Sequence, residues 1–375
     1  GLDGSSVGDR IEDAGYTEWN RWGENIDWYR GTAEEVVQGW MGSSGHRANI
    51  LNRDYTHMGL GYAFDDDIQG DYRWTQVFAA GDPNPGQYVA ETTGAPPVPT
   101  EGETIGEYGT LSLDHKWQTV SLDDSYINPV VIVSDPTFKG WDPATIRLRE
   151  VGQDSFQIRL QEPKYKDDWH TKESVSYLVV EAGDWTLADG TRLSAGTHTS
   201  DLLTSQGFDD IEVDGFDDTP TVLSQVQTFN GTDWVTTRTK GHSANGFQIA
   251  MQEEEALNDG VHYDELLGWV AIEQGVASDG DTLLQGGITG RSHDHQLSRV
   301  LFEKAFDAGP AVIAKLGSYF GTDTANLRLD DIERTGFGVR VHEEQSLDRE
   351  LTHTDESVAF LALENQSGTL TGISA

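Results

Sequence analysis

The sequence predicts a small N-terminal α+β unit followed by three all-β sandwich repeats. Three observations carry this reading. The first eighty residues mix helical and strand periods, a Pro/Gly-rich break follows them, and a seven-residue pattern then returns twice at almost constant spacing.

In residues 1–80, Thr32 to Met41 places apolar side chains at 33, 36, 37, 40 and 41, the stripe of an amphipathic helix. Thr32 is suited to the N-cap, and Glu34 and Glu35 fall in the first turn, where the helix dipole favours them. His57 to Phe64 and Tyr72 to Ala79 alternate as strands, joined by an Asp-rich turn from Asp65 to Asp71. Residues 81–104 then hold five of the chain's 11 Pro in a stretch of little apolar content, which is linker composition.

The repeat is the strongest signal. Phe156-Gln157-Ile158-Arg159-Leu160-Gln161-Glu162 returns as Phe247 to Glu253 and again as Phe337 to Glu343. Nine residues before each Phe stands Arg147, Arg238 or Arg328. Eighteen before each Arg, Pro129, Pro220 or Pro310 opens an apolar run. Downstream come His170/Glu173, His262/Glu265 and His353/Glu356, and eight residues further Glu181, Glu273 and Glu364. Each copy reads as about six short strands separated by Gly, Asp and Asn turns, a small β-sandwich. The expected repeats span 105–184, 200–275 and 290–365.

Composition narrows the function classes. With 25 Lys+Arg against 64 Asp+Glu the net charge is 25 − 64 = −39. Such a chain repels phosphate backbones, so nucleic acid is excluded as a partner. No apolar run approaches the roughly 18 residues a membrane-inserted helix needs. Zero Cys removes disulfides, thiol nucleophiles and Cys-ligated zinc. The 36 aromatic residues (11 Trp, 12 Tyr and 13 Phe) mark a folded acidic protein rather than a disordered one. The chain opens on Gly1-Leu2-Asp3 without a leader pattern, which reads as a mature or fragmentary chain.

Residues 1–80 carry Gly23-Glu24-Asn25-Ile26, then Trp40-Met41-Gly42-Ser43-Ser44-Gly45-His46-Arg47-Ala48-Asn49-Ile50-Leu51, then His57 to Tyr62 and Trp74 to Ala79. In this order they resemble the bacterial branch of the CAP superfamily, the SCP-like extracellular proteins. The resemblance implies an α/β/α sandwich whose cleft holds two His and two Glu. Glu24 and His46 match two of the four. The family's first helix, with its His, would precede Gly1, and the second Glu position is Ser43. The unit is therefore a partial CAP domain, and zinc is not expected without the first His.

The repeats carry Trp117-Gln118-Thr119-Val120, the Pro-led apolar run, the central Arg and a closing Tyr/Trp strand that ends in Glu. Over roughly 105–365 they resemble H-type lectin domains, six-stranded sandwiches that bind sugars such as N-acetylgalactosamine and assemble as trimers. Three copies in one chain imply an intramolecular pseudo-trimer. Trp169-His170 is similar to a Trp-His pair in that family's sugar site; the other copies have Val261-His262 and Thr352-His353.

The candidate residues each have two readings. Glu24 and His46 either hold a metal or move protons, or they fix a loop, and with two ligands where three or four are needed the loop role is favoured. Arg147 and Glu162, on neighbouring strand patterns, are expected to pair. His170, His262 and His353, with Trp169, Arg147, Arg238 and Arg328, either contact ligand from loops at one end of each sandwich or close turns onto their Glu. Asp65, Asp67 and Asp71 offer hard oxygen ligands for calcium, though no EF-hand spacing is present. The reading that follows is an extracellular or cell-surface, non-catalytic protein that binds glycans or matrix polysaccharide at several weak sites. Alternatives are a metal-assisted hydrolase of the CAP cleft, using Glu24 and His46, and a self-assembling subunit of an extracellular filament or surface layer.

Overall fold

A computed structural model describes residues 6–13, 19–28, 33–65, 71–81, 102–258, 260–280 and 282–374. The chain divides into two units, Gly1–Pro97 and Val98–Ala375.

The N-terminal unit runs α1 (Val7–Asp13), β1 (Trp19–Trp28), α2 (Ala33–Gly42), α3 (Ser44–Ile50), β2 (His57–Asp65) and β3 (Asp71–Gly81). The strands form one antiparallel sheet, order β1-β3-β2. Because strand side chains alternate between faces, each face has its own cover. Ile11 of α1 packs with Ala79, Val77 and Trp19 on one side. Asn25 and Gln76, paired across β1 and β3, reach toward α3 on the other. Helix α2 buries Val36 and Trp40 of its apolar stripe, while Val37 stays exposed. Thr32, its expected cap, and the Asp66–Gly70 turn lie outside the described residues.

Every regular element among the described residues of the C-terminal unit is a strand. Repeat 1 comprises β4 (Glu103–Leu113), β5 (Gln118–Ser121), β6 (Pro129–Val133), β7 (Thr145–Arg149), β8 (Ser155–Gln161) and β9 (Glu173–Glu181), and β10 (Gly183–Thr186) follows it. Repeat 2 comprises β11 (Arg192–Ser200), β12 (Asp209–Glu212), β13 (Thr221–Val226), β14 (Val235–Ser243), β15 (Gly246–Glu253) and β16 (Glu265–Ile272), followed by β17 (Gly275–Asp279). Repeat 3 comprises β18 (Thr282–Ile288), β19 (Ser298–Leu301), β20 (Ala311–Leu316), β21 (Ala325–Glu333), β22 (Gly336–Glu343) and β23 (Val358–Leu363), and β24 (Ser367–Ser374) ends the unit.

Each repeat contributes a small outer sheet (β5-β8-β7, β12-β15-β14, β19-β22-β21) and an inner one (β4-β9-β6, β11-β16-β13, β18-β23-β20). The Pro-led runs are continuous rather than alternating because the strands they form are buried on both faces. Val130 and Ile132 enter a core shared by all three repeats, together with Leu223, Ala311 and Ile313. Val131 and Val133 face repeat 1's own core, and Val222 and Val312 do the same in repeats 2 and 3.

Strands β10 and β11 fill most of the interval expected to separate repeats 1 and 2, and β17 and β18 that between repeats 2 and 3. In each case the added strand flanks the next inner sheet: β10 beside β11, β17 beside β18. Strand β24 takes the corresponding place beside β4 of repeat 1. The last strand thus lies where a hairpin strand lies in the other two copies, and it joins the end of the unit to its beginning.

Candidate functional site

Two sets of candidate residues are placed by this architecture, and the structure treats them differently. Glu24 and Asn25 are neighbours on β1 and project to opposite faces. Asn25 Nδ2 reaches the His46 carbonyl of α3 at 3.1 Å and Asn49 Nδ2 reaches Asn25 Oδ1 at 2.9 Å, so the α3 side belongs to Asn25. Glu24 projects to the other side, where Arg10 Nη2 of α1 donates to its Oε1 at 2.7 Å. The two residues expected to share a cleft are not brought together. Of the calcium candidates, Asp67 lies outside the described residues, and Asp65 and Asp71 enter only as the last backbone pair of β2 and β3.

The repeated Arg, His and Glu residues converge, but inside the protein. Arg147, Arg238 and Arg328 are 0% exposed, and His170, His262 and His353 are buried with them. Each Arg crosses to the next repeat. Arg147 Nη2 reaches Glu265 Oε1 at 3.4 Å, Arg238 Nη2 reaches Glu356 at 2.8 Å, and Arg328 Nη2 reaches Glu173 at 2.8 Å. Repeat 1 holds repeat 2, repeat 2 holds repeat 3, and repeat 3 holds repeat 1.

Each receiving Glu is also the anchor of its own repeat. Glu173 accepts from Gly140 N at 2.7 Å and Lys139 N at 2.9 Å; Glu265 and Glu356 accept from the corresponding Asn230/Gly231 and Phe320/Gly321 amides. The loop so fixed turns its carbonyls to the incoming guanidinium: Gly231 O for Arg147 at 3.1 Å, Ser318 O for Arg238 at 3.0 Å and Gly140 O for Arg328 at 3.0 Å. It also supplies a ring beneath the guanidinium. Phe229, Tyr319 and Phe138 lie 4.5, 4.9 and 5.2 Å from the three Cζ atoms.

The His completes each station. Its Nδ1 meets a second carboxylate, Glu162 at 2.7 Å, Glu343 at 2.6 Å, or Glu253, while its Nε2 stands 3.4 Å from the anchoring Glu. Burial would lower the His262 pKa, but the Glu253 and Glu265 carboxylates hold it up at about 9, and His353 is raised in the same way. Burial would likewise raise the anchoring Glu, yet His, hydroxyl and amide donors keep Glu265 low, and with an Arg added they keep Glu173 low and hold Glu356 down at about 2. At the His262 and His353 stations, two carboxylates, one imidazolium and one guanidinium make a neutral buried set.

These positions correct the loop-site expectation. The three Arg and three His are enclosed between repeats, where they are shielded from a ligand in solution. The expected Arg147–Glu162 pair is also replaced: Arg147 goes to Glu265 of the next copy, and Glu162 takes His170 instead. The closeness is built into the loop glycines. A Cβ on Gly140, Gly231 or Gly321 would stand 2.8, 2.6 or 2.5 Å from its His ring.

What remains at the surface near these stations is aromatic. Trp169 is 59% exposed, with its ring 6.0 Å from His115, whose Nδ1 lies 3.2 Å from the His170 carbonyl. Trp141 is 81% exposed and lies edge-on to Phe138 at 5.2 Å. A sequence signal for it exists: the repeat offset aligns it with Thr232 and Thr322, so it is dispensable for the fold. Among the described residues, Asp233, Glu253 and His262 place three potential metal-ligating atoms within 4.8 Å of one another. The Lys164 ammonium contacts Asp233 there and His262 is engaged with Glu253, so protein partners already neutralise that set. No helix among the described residues is long and apolar enough to cross a membrane.

Residues 2–78 match the family model described as CAP, the cysteine-rich secretory protein family. The chain is 35% identical over 281 residues to Halomucin of Haloquadratum walsbyi, which covers 72% of this chain and 3% of that protein. It is 52% identical over 56 residues to the uncharacterized protein YkwD of Bacillus subtilis, covering 15% of this chain and 20% of that protein. It is 43% identical over 56 residues to the uncharacterized membrane protein YlbC of the same species, 15% of this chain and 16% of that protein. The chain therefore spans only a small part of each of these relatives. No solved structure matches it.

Proposed function

We propose that this chain is an extracellular, non-catalytic glycan- or matrix-binding segment, built from a CAP-like unit and an H-type-lectin-like triple sandwich. The observation that carries the reading is Trp169. Its indole lies 59% exposed on a segment whose next residue, His170, is locked into a buried charge station. An indole fixed at the surface offers a flat apolar face with a polar edge, which suits the C–H face and hydroxyls of a pyranose ring. The likeness to Halomucin supports a cell-surface or secreted setting, and the net charge of −39 suits a hydrated surface layer. The hydrolase alternative is weakened because Glu24 engages Arg10 on the sheet face away from α3.

A glycan array probed with the full chain tests this. Wild type is expected to bind, and Trp169→Val, which installs the residue of repeat 2, is expected to lose binding with its fold intact. Retained binding by the variant overturns the site, and a wild type that binds no glycan overturns the function.

A further inference from the structure

Resting on that glycan-binding reading, we infer that Trp141 and Trp169 form one two-ring platform, present in repeat 1 alone, that takes two or more consecutive sugar residues. The two indoles stand on segments that touch. A Cβ on Gly140 would come within 2.8 Å of His170 Nε2 and 3.0 Å of Thr171 Cγ2, so Trp141 and Trp169 are each one residue from that contact. Both rings are oriented by neighbours, Trp141 by Phe138 and Trp169 by His115.

The repeats supply an internal control on what these rings do for the fold. The Gly, His, Glu and Arg of the station are kept in all three copies. At the Trp141 position the others carry Thr232 and Thr322, and at the Trp169 position Val261 and Thr352. Two copies therefore fold without either indole, so the sandwich does not require two exposed rings on touching segments here. The rim selects the class of ligand. Lys166 Nζ pairs with Asp142 Oδ1 at 2.5 Å, and Arg159 stands 3.7 Å from Asp168. Charged groups interleaved with two rings suit a hydroxyl-rich chain, which stacks through C–H faces and hydrogen-bonds along its edges. Repeat 2 presents Tyr263, 70% exposed, but no second ring at Thr232, so the paired arrangement is not repeated.

The test is a glycan array carrying mono- to hexasaccharides, probed with wild type, Trp141→Thr and Trp169→Val. Each variant carries a residue that another copy of the same sandwich already tolerates, and thermal melts check that the fold persists. Wild type is expected to favour di- and longer saccharides. Trp141→Thr should lose about tenfold on those chains, roughly one aromatic stacking contact, while keeping its weaker monosaccharide binding. If Trp169→Val loses binding and Trp141→Thr does not, the two-ring platform is overturned and the Trp169 site stands. Equal loss by Trp141→Thr on monosaccharides and longer chains overturns the platform's span. No binding by wild type overturns both readings.

Discussion

Arg328 Nη2 of the third repeat and Glu173 Oε1 of the first stand 2.8 Å apart, and solvent reaches neither side chain. This contact turns a linear series of repeats into a ring. Removing one partner leaves the other charged and buried, which costs roughly 3–5 kcal/mol, whereas replacing both with apolar residues is often tolerated. Glu173→Gln is therefore expected to lower unfolding free energy by about 3 kcal/mol or more in urea. The double replacement Glu173→Leu with Arg328→Met is expected to lose less than the sum of the single changes. Additive losses would mean that the two groups do not act as a pair.

The stations make stability depend on pH in two windows. His262 is held at about 9 against an ordinary value near 6.5. Its contribution is complete below the ordinary value and is lost as pH rises through 9. Glu356, at about 2 against 4.5, contributes above 4.5 and loses that contribution as pH falls through 2. Melting temperatures should therefore fall as pH rises from about 6.5 to 9, and His262→Gln should flatten that limb.

His342 works in the opposite sense. Burial, with Arg328 and Arg340 nearby, pushes its pKa down to about 3, so it is folded as the neutral ring. Stability is lost as pH falls from about 6.5 toward 3, because the unfolded chain takes the proton first. Repeats 1 and 2 carry Gln161 and Gln252 here, each accepting from its own Arg and donating to a loop carbonyl of the next repeat. His342→Gln is expected to gain about 1–2 kcal/mol at pH 5 and little at pH 8. Equal effects at both pH values would rule out proton uptake as the cause.

Much of this was legible in the residues. Constant offsets identified three copies and their strands, and the Pro-led runs marked strands buried on both faces. Partner choice was not legible, because an offset that repeats three times cannot say whether Arg147 meets Glu162 of its own copy or Glu265 of the next. Nor could a motif show that Glu24 and His46 fall on different sides of a sheet. That depends on Glu24 and Asn25 alternating across a strand whose one face α3 covers. The flanking strands β10, β17 and β24 lie outside the repeated motif and so carry no repeat signal, although two of them belong to hairpins with Asp189-Gly190 and Asp279-Gly280 turns.

Strand β24 is the ring's second closure. Leu370 is 1% exposed in the shared core, and Gly368 lies against the Tyr108 ring. Leu370→Ala is expected to cost about 2–4 kcal/mol by leaving a cavity where all three repeats meet. Deleting 367–375 should do more, because it uncovers the edge of β4 and invites pairing with another chain. Light scattering that rises with concentration for the deletion, and stays flat for Leu370→Ala, would separate the open edge from the lost packing.

Salt should act on the surface and not on the stations. The net charge of −39 is spread largely over exposed carboxylates, whose mutual repulsion favours expansion and is screened within about 10 Å at 0.1 M salt and about 3 Å at 1 M. The melting temperature of the chain is therefore expected to rise steadily with sodium chloride. The Arg–Glu pairs have no exposed side chain and are screened far less. The deficit of Glu173→Gln relative to wild type should accordingly stay nearly constant from 0.1 to 2 M salt while both proteins grow more stable. A deficit that shrinks in step with screening would place the Arg328–Glu173 contact in water rather than inside the ring.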